Sequence, residues 1–233
     1  MGTDNTFYSY AFLRVKDHDR KSSKRNEGGA SNMIDLLIKN AKIADGSGAP
    51  VYEADVAIKD GKIVSIGNIN KPAEETIDAD GLIVAPGFID VHGHSDMLAI
   101  LDPGRASKLR QGITTEICGQ CGLGPAPVSE EFYPQYVGLS NTLGAPIYPD
   151  SKSFTSFGAY LKFMENMPLG INTAYFIPHG TLRLAVMGLS PEKPTADQLE
   201  QMKKILREGM ESGALGLSSG LMYAPGIFAS EEE

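Results

Sequence analysis

The run Ala85-Pro-Gly-Phe-Ile-Asp-Val-His-Gly-His-Ser-Asp96 sets two histidines, His92 and His94, one residue apart at the end of an apolar segment. Side chains two positions apart on an extended strand leave the same face. A strand over Phe88–His92, opened by the Pro86-Gly87 turn, therefore presents both imidazoles together, close enough to hold one metal ion. Phe88, Ile89 and Val91 give the segment the aromatic and β-branched character of a buried strand. Imidazole nitrogen is a preferred donor for zinc. Asp90 shares that face one pleat deeper. Two readings of it stand: an acceptor that fixes the tautomer of a ligand imidazole, or an ordinary satisfied strand carboxylate.

From this run the pattern differs in the two directions. Before it, Asp35–Ile43, Val51–Lys59, Lys62–Ile66, Glu74–Asp78 and Leu82–Val84 read as short strands, with Asp60-Gly61 as a hairpin signal. The expectation is a small antiparallel β unit over residues 33–85, part of a β-sandwich. After it, strands alternate with helices: a helix near Asp102–Arg110, strand Ile113–Cys118, a Gly/Pro-rich excursion over 119–150, helix Ser153–Asn166, and strand Ile171–Ile177. Helix Thr195–Ser212 carries a capping box in Thr195 and Gln198. Leu199, Met202, Ile205, Leu206 and Met210 line one of its faces. Strand Ala214–Leu217 follows. Alternation of this kind implies parallel β/α units. The α/β fold expected over residues 86–233 is thus four such units, half of an eight-stranded TIM-like barrel.

Residues 1–32 read as foreign to the rest. The apolar Phe7–Leu13 precedes a charge-rich run from Lys16 to Arg25, the reverse of a secretory signal, and Gly28–Ser31 resembles a linker. A tag-like or disordered leader is expected there. With 29 acidic against 21 basic residues the net charge is −8, and no arginine-rich block follows residue 32, so nucleic acid is an unsuited partner. No apolar run reaches the length of a membrane span. Two cysteines make no disulfide framework, which points to a reducing, cytoplasmic setting.

Cys118-Gly-Gln-Cys121 has C-x-x-C spacing. A redox dithiol wants a helix N-terminus, against which the following glycines and Pro125 and Pro127 argue. A zinc knuckle needs a second such pair, and the chain has no other cysteine. The remaining reading buries Cys118 in its strand as a small hydrophobe. Cys121 then stands in the loop at the strand's C-terminal end, level with His92 and His94, where a thiolate would ligate zinc.

Taken together, the β-rich start, Pro86-Gly-Phe-Ile-Asp-x-His-x-His94, and Gln111-Gly-Ile-Thr-Thr115 leading into Gly119-Gln-Cys-Gly122 resemble the amidohydrolase superfamily. Within it the likeness is to the D-aminoacylase, or N-acyl-D-amino-acid deacylase, group. Pro178-His-Gly-Thr-Leu-Arg183 and Gly213–Gly226 agree with it, while Gln120 departs from the asparagine more common there. The resemblance implies a (β/α)8 metal-dependent-hydrolase barrel and zinc, one or two ions in the full-length protein. It implies a small-molecule N-acyl-D-amino acid as substrate and amide hydrolysis as the reaction. It carries His92 and His94 over as first-strand zinc ligands and Cys121 as the ligand of the tighter site. Tyr223 becomes the group beside the substrate carbonyl, where a phenol stabilises a developing oxyanion. His179 corresponds to a histidine near the pocket or to a core histidine, and Arg183 to a helix or salt-bridge residue. The family's two further zinc histidines and its catalytic aspartate have no counterpart in the sequence. An inactive N-terminal fragment is therefore expected; the alternatives are an enzyme acting on a cyclic amide or D-peptide, and a non-catalytic truncated paralogue. Oligomeric state is left open.

Overall fold

The structure, a computed structural model, describes residues 33–233. The expected leader over 1–32 lies outside the described residues. The described residues divide into two compact units, one ending at Phe88 and the other running from Ile89 to Glu233.

In the first unit, β1 (Ile34–Ile43), β2 (Tyr52–Lys59), β3 (Lys62–Gly67), β4 (Ala73–Asp78) and β5 (Ile83–Val84) form one sheet in the order β3-β2-β1-β4, with β5 also on β1. Alternation along β2 places Val56 and Ile58 in one apolar cluster with Ile38, Ala41, Ile43 and Ala79. Ala57 falls in another, with Ile34, Leu37 and Ile69. The expected antiparallel pairing holds only for β1–β2 and β2–β3; β4 and β5 run parallel to β1, so the sheet is mixed. Residues 68–72 carry the chain from β3 to the start of β4, and Ile69 on the way is buried.

In the second unit, β6 (Phe88–Asp90), β7 (Ile113–Cys118) and β8 (Asn172–Tyr175) form a sheet in that order, with β7 and β8 parallel. A short strand β9 (Ile177–Pro178) pairs in parallel with β10 (Leu217–Ser218). Phe176 joins the two sheets: its N–H donates to Cys118 O at 3.0 Å, while that of Ile177 donates to Gly216 O at 2.8 Å. One strand thus serves β7 on one side and β10 on the other, and four strands run in sequence order.

Five α-helices among the described residues accompany these strands. The first, α1 (Ala106–Leu109), is a single turn where a longer helix was expected. The excursion after β7 holds α2 (Tyr133–Thr142), which the sequence reading passed over. Both α3 (Phe157–Glu165), capped by the Ser156 hydroxyl, and α5 (Ala196–Glu211), with the expected capping box, agree with it. Between them α4 (His179–Met187) is buried along its whole length. The main core is aromatic, with Tyr136, Tyr148, Phe154, Phe157, Tyr160 and Tyr175 around Cys118 and Ile177. Ring pairs such as Phe154–Tyr160 meet edge-on at 5.4 Å. Leu182, Val186, Met187 and Met202 pack α4 against α5.

Two expectations are corrected here. Phe88, Ile89 and Val91 are exposed, not buried, because β6 is an edge strand with only β7 beside it among the described residues. The strand also stops at Asp90, so His92 and His94 stand on the loop beyond it. No helix among the described residues is long and apolar enough to cross a membrane.

Candidate metal centre

At the end of β6 the Gly93 N–H donates to Ile117 O on β7 at 3.1 Å. This turns the loop so that His92 and His94 face the end of the neighbouring strand. His92 Nε2 lies 3.2 Å from Cys121 Sγ, and the two imidazoles meet edge-on with centroids 5.6 Å apart. One donor atom from each of His92, His94 and Cys121 lies within 4.8 Å of the others. Two donors on one tetrahedral zinc ion stand about 3.5 Å apart, so the set fits one such ion and leaves a fourth position open. Burial, then the neighbouring His92, hold His94 below the ordinary imidazole range; Glu116 opposes them. The neutral ring favoured in this way is the form that ligates a metal.

Cys118 points the other way, fully buried, and burial pushes its thiol far up. Cys121 takes a left-handed backbone, with φ of 57°. For a non-glycine residue this costs of the order of 1–3 kcal/mol and marks a place where surrounding contacts dictate the conformation. Those contacts are explicit. The Tyr223 hydroxyl donates to the Cys121 carbonyl, Gly122 N–H donates to Ser218 Oγ at 3.1 Å, and Thr181 N–H donates to Gly122 O at 3.1 Å. Gly220 packs flat on the Cys121 peptide: a Cβ there would stand 2.1 Å from the carbonyl oxygen. Gln120, the departure from the family pattern, uses its amide N–H groups on Val91 O and Ile117 O, at 3.0 and 3.3 Å, tying this loop to the histidine loop.

The remaining sequence candidates fall differently. Tyr223 is part-exposed beside the cysteine loop, its hydroxyl engaged as described. Asp90 places its carboxylate on Lys108 Nζ and on the His92 backbone N–H, the latter at 3.2 Å, in place of a ligand imidazole. Lys108 reaches it from α1, and the ion pair holds Asp90 below the usual carboxylate range. His179 is buried, with Nε2 3.0 Å from Glu233 Oε1, and Arg183 one turn on grips the same carboxylate. Arg183 also donates to Ser190 O and Glu192 O at 3.2 and 2.6 Å. These two residues are not brought to the His–His–Cys cluster.

Sequence reasoning missed Glu116, Lys108, Ser95 and Asp96. Glu116 is fully buried beneath the histidine loop. A carboxylate inside the otherwise apolar or hydroxylic strand Ile113–Cys118 was the available signal. Asp96 is buried, accepts from Gly119 N–H at 3.1 Å, and is pushed up to about 7, chiefly by burial.

Strands succeeding one another in sequence order, helices between them, and a His-x-His loop facing a cysteine at adjacent strand ends define a metal-hydrolase type of β/α barrel. The profile described as "Amidohydrolase family" matches residues 75–233, and the chain belongs to that family. A second profile, the urease alpha-subunit N-terminal domain, matches residues 12–88. The chain is 38% identical over 202 residues to an N-acyl-D-glutamate deacylase of Alcaligenes xylosoxydans xylosoxydans, covering 86% of this chain and 40% of that protein. It is 35% identical over 204 residues to a D-aminoacylase of the same organism, covering 87% of this chain and 41% of that protein. Among solved structures, N-acyl-D-glutamate deacylase from Bordetella bronchiseptica, complexed with zinc and a phosphonate mimic of the tetrahedral intermediate, superposes with a TM-score of 0.74 at 38% identity. That match covers 85% of this chain and 40% of that one. The chain therefore spans about two fifths of the length of the relatives it matches.

Proposed function

We propose that the chain carries the first metal ligands of a zinc-dependent amidohydrolase that cleaves N-acyl-D-amino acids to a carboxylate and a free D-amino acid. The observation that carries this reading is the convergence of His92, His94 and Cys121 on one small volume. The deacylase relatives supply the substrate class. Zinc, when bound, supplies polarisation of the amide carbonyl and activation of a water. His92 and His94 would hold it through imidazole nitrogen and Cys121 through sulfur.

Tyr223 is the substrate-facing group. Its phenol is anchored on the Cys121 carbonyl, and a turn of the O–H bond presents the same proton to an oxyanion forming beside the metal. The proton taken from water needs a general base, which the family resemblance assigns to an aspartate, and no described carboxylate belongs to the donor cluster. The chain alone therefore binds the ion and turns over little substrate.

The test is a Co²⁺ titration of the purified chain followed by an assay on N-acetyl-D-glutamate, N-acetyl-D-aspartate and hydantoin. A thiolate-to-cobalt absorption band that vanishes in Cys121→Ser is expected, with no appreciable D-amino acid release. Absence of the band in the parent chain overturns the metal reading. Hydantoin turnover overturns the substrate class, and rapid deacylation by the chain alone overturns the missing base.

A further inference from the structure

We infer that Lys108, Glu116 and Asp90 form a charged clamp that sets the spacing of His92 and His94, acting as positioning residues and not as metal ligands. The inference rests on the metal-site reading above. Each carboxylate grips one end of the short loop. Asp90 Oδ1 accepts from the His92 backbone N–H at 3.2 Å. Glu116 Oε1 accepts from the Ser95 N–H at 3.3 Å, and Oε2 from the Ser95 hydroxyl. Lys108 joins the two: its ammonium is 3.3 Å from Glu116 Oε1 and in closer contact with Asp90 Oδ2. One cation from α1 thus draws both ends of the His92–Ser95 segment onto a single anchor.

The middle of the loop shows how tightly this anchor fits. A Cβ on Gly93 would stand 1.8 Å from Glu116 Oε1 and 2.6 Å from its Cδ, so the carboxylate lies directly against the loop backbone. Only glycine permits that approach, which gives the x of His-x-His a physical reason. Glu116 is wholly buried, where an unpaired carboxylate would be costly; Lys108 and Ser95 supply the partners that keep it there. Burial alone would lower the Lys108 pKa, yet it is raised, because Asp90 and Glu116 outweigh the desolvation. Groups hydrogen-bonded directly to a metal-binding imidazole are worth about 10–100-fold in metal affinity, so a clamp that acts through the loop backbone is expected at the lower end of that range. None of the three residues had to be at hydrogen-bond distance from an imidazole nitrogen to do this, since they act through the backbone.

The experiment measures Co²⁺ affinity by chelator competition, and the visible cobalt spectrum, on the full 233-residue chain. Lys108→Met should weaken binding by about tenfold or more and shift the spectrum, while Lys108→Arg should restore most of the affinity. Met202→Ala, in the α4–α5 contact and away from the loop, serves as a variant of lowered melting temperature; its affinity should equal the parent's. Parental affinity in Lys108→Met overturns the clamp, and so does an equal loss in Met202→Ala. Should Lys108→Met fail to fold, with Glu116 left unpaired, Asp90→Asn decides: a several-fold loss supports the clamp and parental affinity overturns it. A parent chain that binds no cobalt would sink the metal reading itself, a separate result.

Discussion

The two units place backbone strain on different kinds of residue. Among the described residues of the first, the non-glycine positions with left-handed backbone are Asn40 and Asp60, with φ of 58° and 49°. Asparagine and aspartate tolerate this conformation best among L-residues. Each has a local duty: Asn40 sits in the irregularity of β1, its amide on Asp78 Oδ1 at 2.9 Å, and Asp60 turns the β2–β3 hairpin with Gly61. In the second unit the equivalent residues are Arg105 and Cys121, with φ of 52° and 57°. Neither is suited to that backbone. Arg105 is also buried with Nε and Nη2 lacking partners, and Cys121 offers a metal donor. Strain in the first unit serves the chain's path; in the second it falls on Cys121, whose sulfur belongs to the candidate donor cluster, and on the buried Arg105. That contrast is physical support for placing the chemistry at the ends of β6 and β7.

The largest expected effect comes from glycines, and Gly46 and Gly220 need to be glycine for different reasons. Gly46 has a φ of 82° with nothing within 4 Å of a built Cβ, so Gly46→Ala costs about 1 kcal/mol from backbone strain alone. Gly220 has no such φ, yet its Cβ would collide with the Cys121 carbonyl at 2.1 Å. Gly220→Ala should therefore cost about 1–3 kcal/mol through overpacking and weaken cobalt binding by displacing the cysteine loop. Urea denaturation with a parallel cobalt titration checks both. A Gly220→Ala chain with parental stability and affinity would break the contrast at its most specific point.

Buried charge sharpens it next. Asp55 in β2 accepts from the backbone N–H groups of Asn40 and Ile69, each at 3.0 Å. Burial alone would raise its pKa, but those bonds and Lys39 outweigh it and hold the carboxyl below the usual range. A depressed folded value means that stability is present above the unfolded pKa and is lost as pH falls through the folded one. Asp55→Asn should thus cost about 1–2 kcal/mol at pH 7, and its deficit should shrink as both chains are taken into acid. A deficit independent of pH would mean that the Asp55 charge does nothing for the sheet.

The first unit was the more legible because its signals are local. Asp60-Gly61, the alternation of Val56, Ala57 and Ile58, and the strand limits follow from neighbouring residues. What was misread is the direction of β4 and β5, since alternation shows which face is buried and not which strand lies beside it. In the second unit the capping box of α5 was readable, whereas α2 was hidden in a Gly/Pro-rich segment with only Tyr136 and Ser140 buried on it. His92 and His94 were legible as a pair from residue type and short spacing, whereas Cys121 was reached through its place after strand Ile113–Cys118 and the family resemblance. Lys108 carries no such mark: its meaning arises only when α1 brings it over Glu116 on β7 and Asp90 on β6.

The smallest expected effect bears on the strain argument most directly. Cys121→Gly removes the left-handed penalty, less the extra entropy that glycine loses on folding, and should stabilise the metal-free chain by up to about 1 kcal/mol. The same substitution deletes the thiolate, so the cobalt band should disappear. Asn40→Gly is the matched control in the first unit. Asparagine tolerates the conformation and its amide bonds to Asp78, so that change should gain nothing and leave the cobalt titration as it was. A gain at Cys121 and none at Asn40, two positions of nearly equal φ, would mean that the backbone angle alone does not set the cost, and that Cys121 is kept where it is for its sulfur. If Cys121→Gly is instead neutral or destabilising in the metal-free chain, the contacts of Tyr223, Gly122 and Gly220 already offset the strain. The left-handed cysteine would then lose its standing as a mark of function, and the donor geometry alone would carry the site.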